Sequence, residues 1–200
     1  LVCLVGSEMC IRDSFWTSPD VNNLGVPYNE SFDEGGLLDL WLVDGGDNWL
    51  YDEAAGNPAP SMIFNWSPSV TDYSQSLYAP VLPLGGLTSV TVSFDYELNI
   101  WSPSGAEFFS IEYKSGSDAD WSVLEVFDNA GESFDFTNYS YDLTGLSGSL
   151  FFRFHAYGAN SFDLNWHRVD NFSVSSPGRD SRNEYDFMGY NVYVDGNVNN

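Results

Sequence analysis

The residues of greatest chemical interest in this chain are carboxylates at positions where a carboxylate is costly. Asp170 lies in Val169–Val174, VDNFSV, and shares strand parity with Phe172 and Val174. Glu30 lies in Tyr28–Asp33, YNESFD, and shares parity with Tyr28 and Phe32. A charge turned toward the apolar side of a sheet is unfavourable unless something pairs with it. The chain has 29 Asp and Glu against 6 Lys and Arg, so basic partners are scarce and a metal ion is the alternative. Between the two acids in sequence, Asp44-Gly45-Gly46-Asp47-Asn48 forms an acidic loop bent by glycine.

The elements that must position these groups are strands. Ser149–Val174 reads as two strands and a turn, with Leu150, Phe152, Phe154 and Ala156 on one face and Phe151, Arg153, His155 and Tyr157 on the other. Gly158–Ser161 reads as the turn, and Phe162, Leu164 and Trp166 as one face of the second strand. In Ser89–Leu98, Val90, Val92, Phe94, Tyr96 and Leu98 alternate with Thr91, Ser93, Asp95 and Glu97, a period of two that excludes a helix. Shorter strands are expected at Trp49–Asp52, Met62–Trp66, Phe108–Lys114, Trp121–Phe127 and around Tyr139–Leu143, with polar loop over Ser67–Ser74. The two prolines of Gln75–Leu84 suit a sheet edge. No segment carries a helical apolar stripe. The expected fold is all-β, an antiparallel β-sandwich of jelly-roll type.

With 43% hydrophobic and 17% aromatic residues the chain can build a core, while a net charge of −23 repels nucleic acid and anionic membranes. Both cysteines, Cys3 and Cys10, fall in Leu1–Ser14, which reads as translated sequencing-adapter sequence from environmental DNA and not as part of the fold. Residues 15–26 read as a lead-in, 27–175 as the jelly-roll domain and 176–184 as a linker. Residues 185–200, with Tyr190, Val192 and Val194 on one face, read as the start of a truncated β domain.

The order ESFD (30–33), DGGDNW (44–49), QSLYAPVL (75–82), FFRFH (151–155) and VDNFSV (169–174) resembles the cleaved-adhesin and MAM-like jelly-roll modules of bacterial secreted and surface proteins. The likeness spans Pro27–Ser175, and GYNVYVDG beyond it resembles a strand of a fibronectin-type-III-like module. The chain departs from animal MAM domains in lacking cysteines within the domain, and Asn171 follows Asp170 where the family has a second aspartate. The resemblance implies a calcium ion where the first and last strands meet. The expected ligands are Glu30, Asp33, Asp44, Asp47, Asp170 and Asn171. An all-oxygen set suits calcium, whereas two histidines and no domain cysteine do not suit zinc.

No catalytic arrangement is evident. Glu107, Glu112 and Glu125 are spread over separate strands, and neither a G-x-S-x-G elbow nor an H-E-x-x-H motif occurs. His155 is expected on the outer face of its sheet and His167 at the surface beside Arg168. Trp41, Trp49 and Trp166 are assigned to the core. Trp66, Trp101 and Trp121, at loop edges, are the candidate platforms for a sugar ring. The expected role is a non-catalytic, calcium-stabilised adhesion or ligand-binding module of a larger secreted or surface bacterial protein. Its expected partners are a glycan or a surface protein and the other domains of its parent chain. The alternatives are a carbohydrate-binding module appended to a secreted hydrolase or peptidase, and a jelly-roll glycosidase.

Overall fold

The computed structural model describes residues 24–33 and 40–177, so the readings of 1–14 and 185–200 lie outside the described residues. Among these residues twelve strands form two antiparallel sheets packed face to face. Sheet A contains β10 (Phe134–Thr144), β7 (Ser89–Ile100), β12 (Leu164–Ser175), β4 (Ser61–Asn65) and β3 (Trp49–Asp52) in that order, with β1 (Tyr28–Glu30) beside the end of β12. Sheet B contains β2 (Leu42–Asp44), β5 (Thr71–Tyr78), β11 (Ser149–Asn160), β8 (Glu107–Ser115) and β9 (Ser122–Asp128), with β6 (Leu82–Pro83) beside the start of β11. The molecule is therefore an all-β sandwich. Among the described residues no helix is long and apolar enough to cross a membrane.

The alternation in β7 sets the core. Val90, Val92, Phe94, Tyr96 and Leu98 are all buried, and the residues between them face outward. Leu150, Phe152, Phe154 and Ala156 of β11 meet them from the opposite sheet. Much of the contact is aromatic: Phe154 lies 5.0 Å from Phe94, and Phe109 stacks on Tyr96 at 4.7 Å. Aromatic pairs contribute beyond the area they bury.

The loop expected over Ser67–Ser74 ends earlier, because β5 starts at Thr71 to pair with the far end of β11. For the same reason the chain does not turn at Gly158. That residue continues β11, paired with Tyr73 on one side and Glu107 on the other. A Cβ at Gly158 would lie 2.3 Å from Glu107 Oε2 and 2.6 Å from the Ala106 carbonyl, so only glycine fits there. The turn is instead a single 3₁₀ turn, Ser161–Asp163, capped by the Asn160 side chain accepting from Phe162 N.

Candidate functional site

Asp170 does not face the core. The pairing of β12 with β7 shifts register between Asp170 and Ser173, and Asn171 takes φ 49° at that point. This bulge inserts a residue, so His167 and Val169 before it and Phe172 and Val174 after it all point inward. Asp170 is left on the outer face, directly opposite Asp95 of β7. The parity shared with Phe172 and Val174 is thus broken between them.

Asp170 is nevertheless only 1% exposed, and Asp95 8%. The β3–β4 loop folds over both. Asn57 N donates to Asp170 Oδ2 at 2.6 Å, and Asn57 Nδ2 to Asp95 Oδ2 at 3.1 Å. Asn171 N donates to Asp170 Oδ1 at 2.7 Å, and its side-chain amide to Asp95 Oδ2 at 2.8 Å. Asn138 on β10 donates to Asp95 Oδ1 at 2.8 Å. The result is two facing carboxylates bound by amides from three separate segments. Burial pushes the Asp170 carboxyl up to about 6, against the hydrogen bonds from Asn57 and Asn171 and with help from the charges of Asp95 and Asp33.

Glu30 does face inward, opposite Phe172, and is buried; its Oε1 accepts from Phe32 N at 2.7 Å. Asp33 is exposed and accepts from Ser31 Oγ at 2.9 Å. Asp44 ends β2 opposite Ser76, and Asp47 lies in the exposed loop beyond it. Neither makes a hydrogen bond with Glu30 or Asp170 among the described residues. Their loop is anchored elsewhere, by Asn48 exchanging hydrogen bonds with the Gln75 side chain at 3.1 and 2.7 Å. Among the described residues no cluster of three or more His, Cys, Asp or Glu side chains stands in metal-holding geometry. The oxygens around Asp95 and Asp170, namely two carboxylates, the Asn57 carbonyl and amide oxygens, are nonetheless the hard donors a calcium ion takes.

A second feature lies about 16 Å back along β12. Trp66, Trp101, Phe162, Leu164 and Asn165 line a pocket of about 250 Å³. Trp101 is 65% exposed and Phe162 46% exposed. Trp66 meets Phe162 edge to face at 5.3 Å. Hydrogen bonds fix the backbone that carries these rings: Trp101 N and Ser102 N donate to the Asp163 carbonyl at 3.1 and 2.9 Å, and the Ser161 hydroxyl donates to the Trp66 carbonyl at 2.8 Å. Two of the three expected platforms therefore converge. Trp121 does not join them; it lies over the outer face of sheet B, 4.4 Å from the Arg153 guanidinium. Phe162 is expected on one face with Leu164 and Trp166, but it lies within the 3₁₀ turn, off the strand, and reaches the surface; a register shift follows between Leu164 and Trp166.

The same shift moves two other residues. Trp166 is not in the core; it lies on the outer face of sheet A, 4.3 Å from the Arg168 guanidinium. His167, expected at the surface, is buried, bonded through Nδ1 to Tyr96 OH at 2.9 Å and stacked on Phe109. Burial lowers its pKa to about 3, so it is neutral. The three glutamates are engaged apart from one another: Glu107 with Asn160 N, Glu112 with Arg153, and Glu125 with Tyr141 OH.

No family model matches the chain, and no curated protein matches it. Solved structures do. The K1 cleaved adhesin domain of Lys-gingipain from Porphyromonas gingivalis matches with a TM-score of 0.59 and 15% identity, covering 77% of this chain and all of that domain. The K3 cleaved adhesin domain of the same protein gives 0.52 and 17%, covering 74% of this chain and 98% of that one. The K2 domain of Lys-gingipain gives 0.52 and 15%, covering 75% and 98%. The chain has a cleaved-adhesin-like fold.

Proposed function

We propose that this chain is an adhesion-type, ligand-binding module of a larger exported bacterial protein. It holds a glycan at the Trp66–Trp101–Phe162 pocket and is stabilised by calcium beside Asp170. The exposed rings around that pocket carry the reading: an aromatic face left in water and backed by Asn165 suits a sugar ring, whose one face is apolar and whose rim is hydroxyl. The likeness to adhesin domains supports the same role. Replacing Trp101 by Ala, at an exposed position, is expected to leave thermal stability unchanged and weaken glycan binding about tenfold by calorimetric titration. A panel of oligosaccharides that finds no ligand, or equal binding by the variant, overturns the sugar reading. An interface for a surface protein would then take its place.

The cation is proposed between Asp170 and Asp95, with the Asn57 carbonyl and the Asn171 amide oxygen; Asp33 adds negative charge nearby, Glu30 supports the β1 side, and Asp44 and Asp47 are remote. It would offset the repulsion between the facing acids. In chelator, Asp170 binds its proton more tightly folded than unfolded, so its own contribution to stability is complete below about pH 4 and is lost as the pH rises through about 6. The loss is on the order of 3 kcal/mol. Asp170→Asn is expected to flatten that dependence and, at pH 7 in chelator, to raise the melting point. With millimolar calcium the order reverses and the wild type melts higher. A melting point indifferent to calcium in both proteins would refute the site.

A further inference from the structure

At one corner of the outer face of sheet B, Asp72, Ser74, Phe108, His155, Tyr157 and Gly158 line an open groove of about 460 Å³. It is built from three strands, and it is separate from the Trp101 pocket. Phe108 and Tyr157, directly paired across β8 and β11, stack at 5.2 Å, and His155 lies 4.8 Å from Tyr157 on the same strand face. The three rings form one continuous wall. The polar groups are fixed rather than mobile. His155 Nε2 shares a hydrogen bond with Ser74 Oγ at 2.8 Å, and His155 Nδ1 one with Glu112 Oε1 at 3.1 Å. Glu112 is in turn clamped by Arg153 and Ser110. Asp72, exposed at φ 48°, uses its carboxylate in no hydrogen bond among the described residues.

A serine, a histidine and a glutamate in this order are the parts of a nucleophilic relay, but acyl transfer also needs free N–H groups aimed at an oxyanion. The N–H groups on the β11 side of this groove are already used: Ala159 N by the Ala106 carbonyl at 3.1 Å and Asn160 N by Glu107 Oε1 at 2.8 Å. The relay instead holds the ring wall and the Ser74 hydroxyl rigid, which lowers the entropy lost on binding.

We propose that this groove is a second ligand site, for a neutral sugar ring of a glycan chain. The ring stacks on the Tyr157 wall. Its adjacent hydroxyls donate to the Asp72 carboxylate and exchange hydrogen bonds with Ser74 Oγ. The small Ala106 and Ala159 leave room for it. The Asp72 charge, in a chain of net charge −23, rejects uronic or sulfated sugars. The site stands independently of the Trp101 pocket.

The test is a titration of the ¹⁵N-labelled protein with xylohexaose, cellohexaose, maltohexaose and laminarihexaose, and with tetragalacturonic acid as the charged control. Wild type and Trp101→Ala should both show saturable shifts at the amides of Ser74, Tyr157, Gly158 and Ala159 with at least one neutral oligosaccharide. Asp72→Ala, at an exposed position that cannot unfold the sandwich, should weaken those shifts at least tenfold, as should Tyr157→Ala. Absence of shifts at these amides with every neutral oligosaccharide, equal binding by Asp72→Ala, or equal binding of the galacturonic acid control overturns the proposal. Loss of these shifts in Trp101→Ala would show one site rather than two and also overturns it. Loss of shifts at the Trp101 pocket alone counts only against the first site.

Discussion

Phe154→Ala is expected to lower the free energy of unfolding by about 3–5 kcal/mol, read from the midpoint of a urea transition with an unchanged slope. Phe154 is fully buried at the middle of β11, where both sheets contribute rings. Phe94 lies at 5.0 Å, Phe152 at 5.4 Å, Phe109 at 5.9 Å, Phe172 at 6.1 Å and Trp41 at 6.4 Å. Rigid rings held by two hydrogen-bonded sheets relax little into a vacated volume, so most of the cavity persists. A cost below about 1 kcal/mol would mean that the sheets close over the gap and that the core is far softer than its packing implies.

Arg153→Met should cost a similar amount, about 3–5 kcal/mol, for a different reason. Arg153 faces Glu112 across β11 and β8 and binds it through Nη2 at 2.5 Å and Nε at 2.7 Å. Burial alone would raise the Glu112 carboxyl, but hydrogen bonds from His155, Ser110 and Arg153, and the Arg153 charge, hold it down to about 2. The methionine keeps the length of the stem and removes the charge, leaving a shielded carboxylate without its main partner. The folded-state pKa lies below the unfolded one, so this contribution is complete above about pH 4.5 and disappears as the pH falls toward 2. The double variant Arg153→Met with Glu112→Gln should recover most of the loss. If it is as unstable as the single variant, the packing of Arg153 against Trp121 and Tyr78 matters more than the charge.

The sandwich was legible because alternation is a local signal. Val90 to Leu98, and Leu150 to Ala156, name their own faces, and residue-by-residue parity held wherever the strand was regular. Parity failed at the two irregularities of β12. Nothing in NWHRV or VDNFS marks a register shift, since neither contains a glycine, and one inserted residue reverses every face beyond it. His167, Trp166 and Asp170 were all misplaced by that single cause. Asp95 is legible only as an outward strand residue, because its partners Asn57 and Asn138 lie 38 and 43 positions away. Trp66 and Trp101 were legible as loop-edge aromatics. Their convergence was not, because it depends on the Asp163 carbonyl tying the end of β7 to the 3₁₀ turn.

The pairing of β1 with the end of β12 has a mechanical consequence. Tyr28 opposes Val174 and Glu30 opposes Phe172, so the chain enters and leaves the sandwich at neighbouring points. Tension applied through the flanking segments pulls these strands apart from their shared end. The load falls on one residue pair at a time and not on all three together. Peeling β1 would come first, while β7, β11 and the rest of β12 stay braced on both sides by neighbouring strands. A module strung in series under flow would therefore lengthen by a few residues at low force before the strands behind β1 separated.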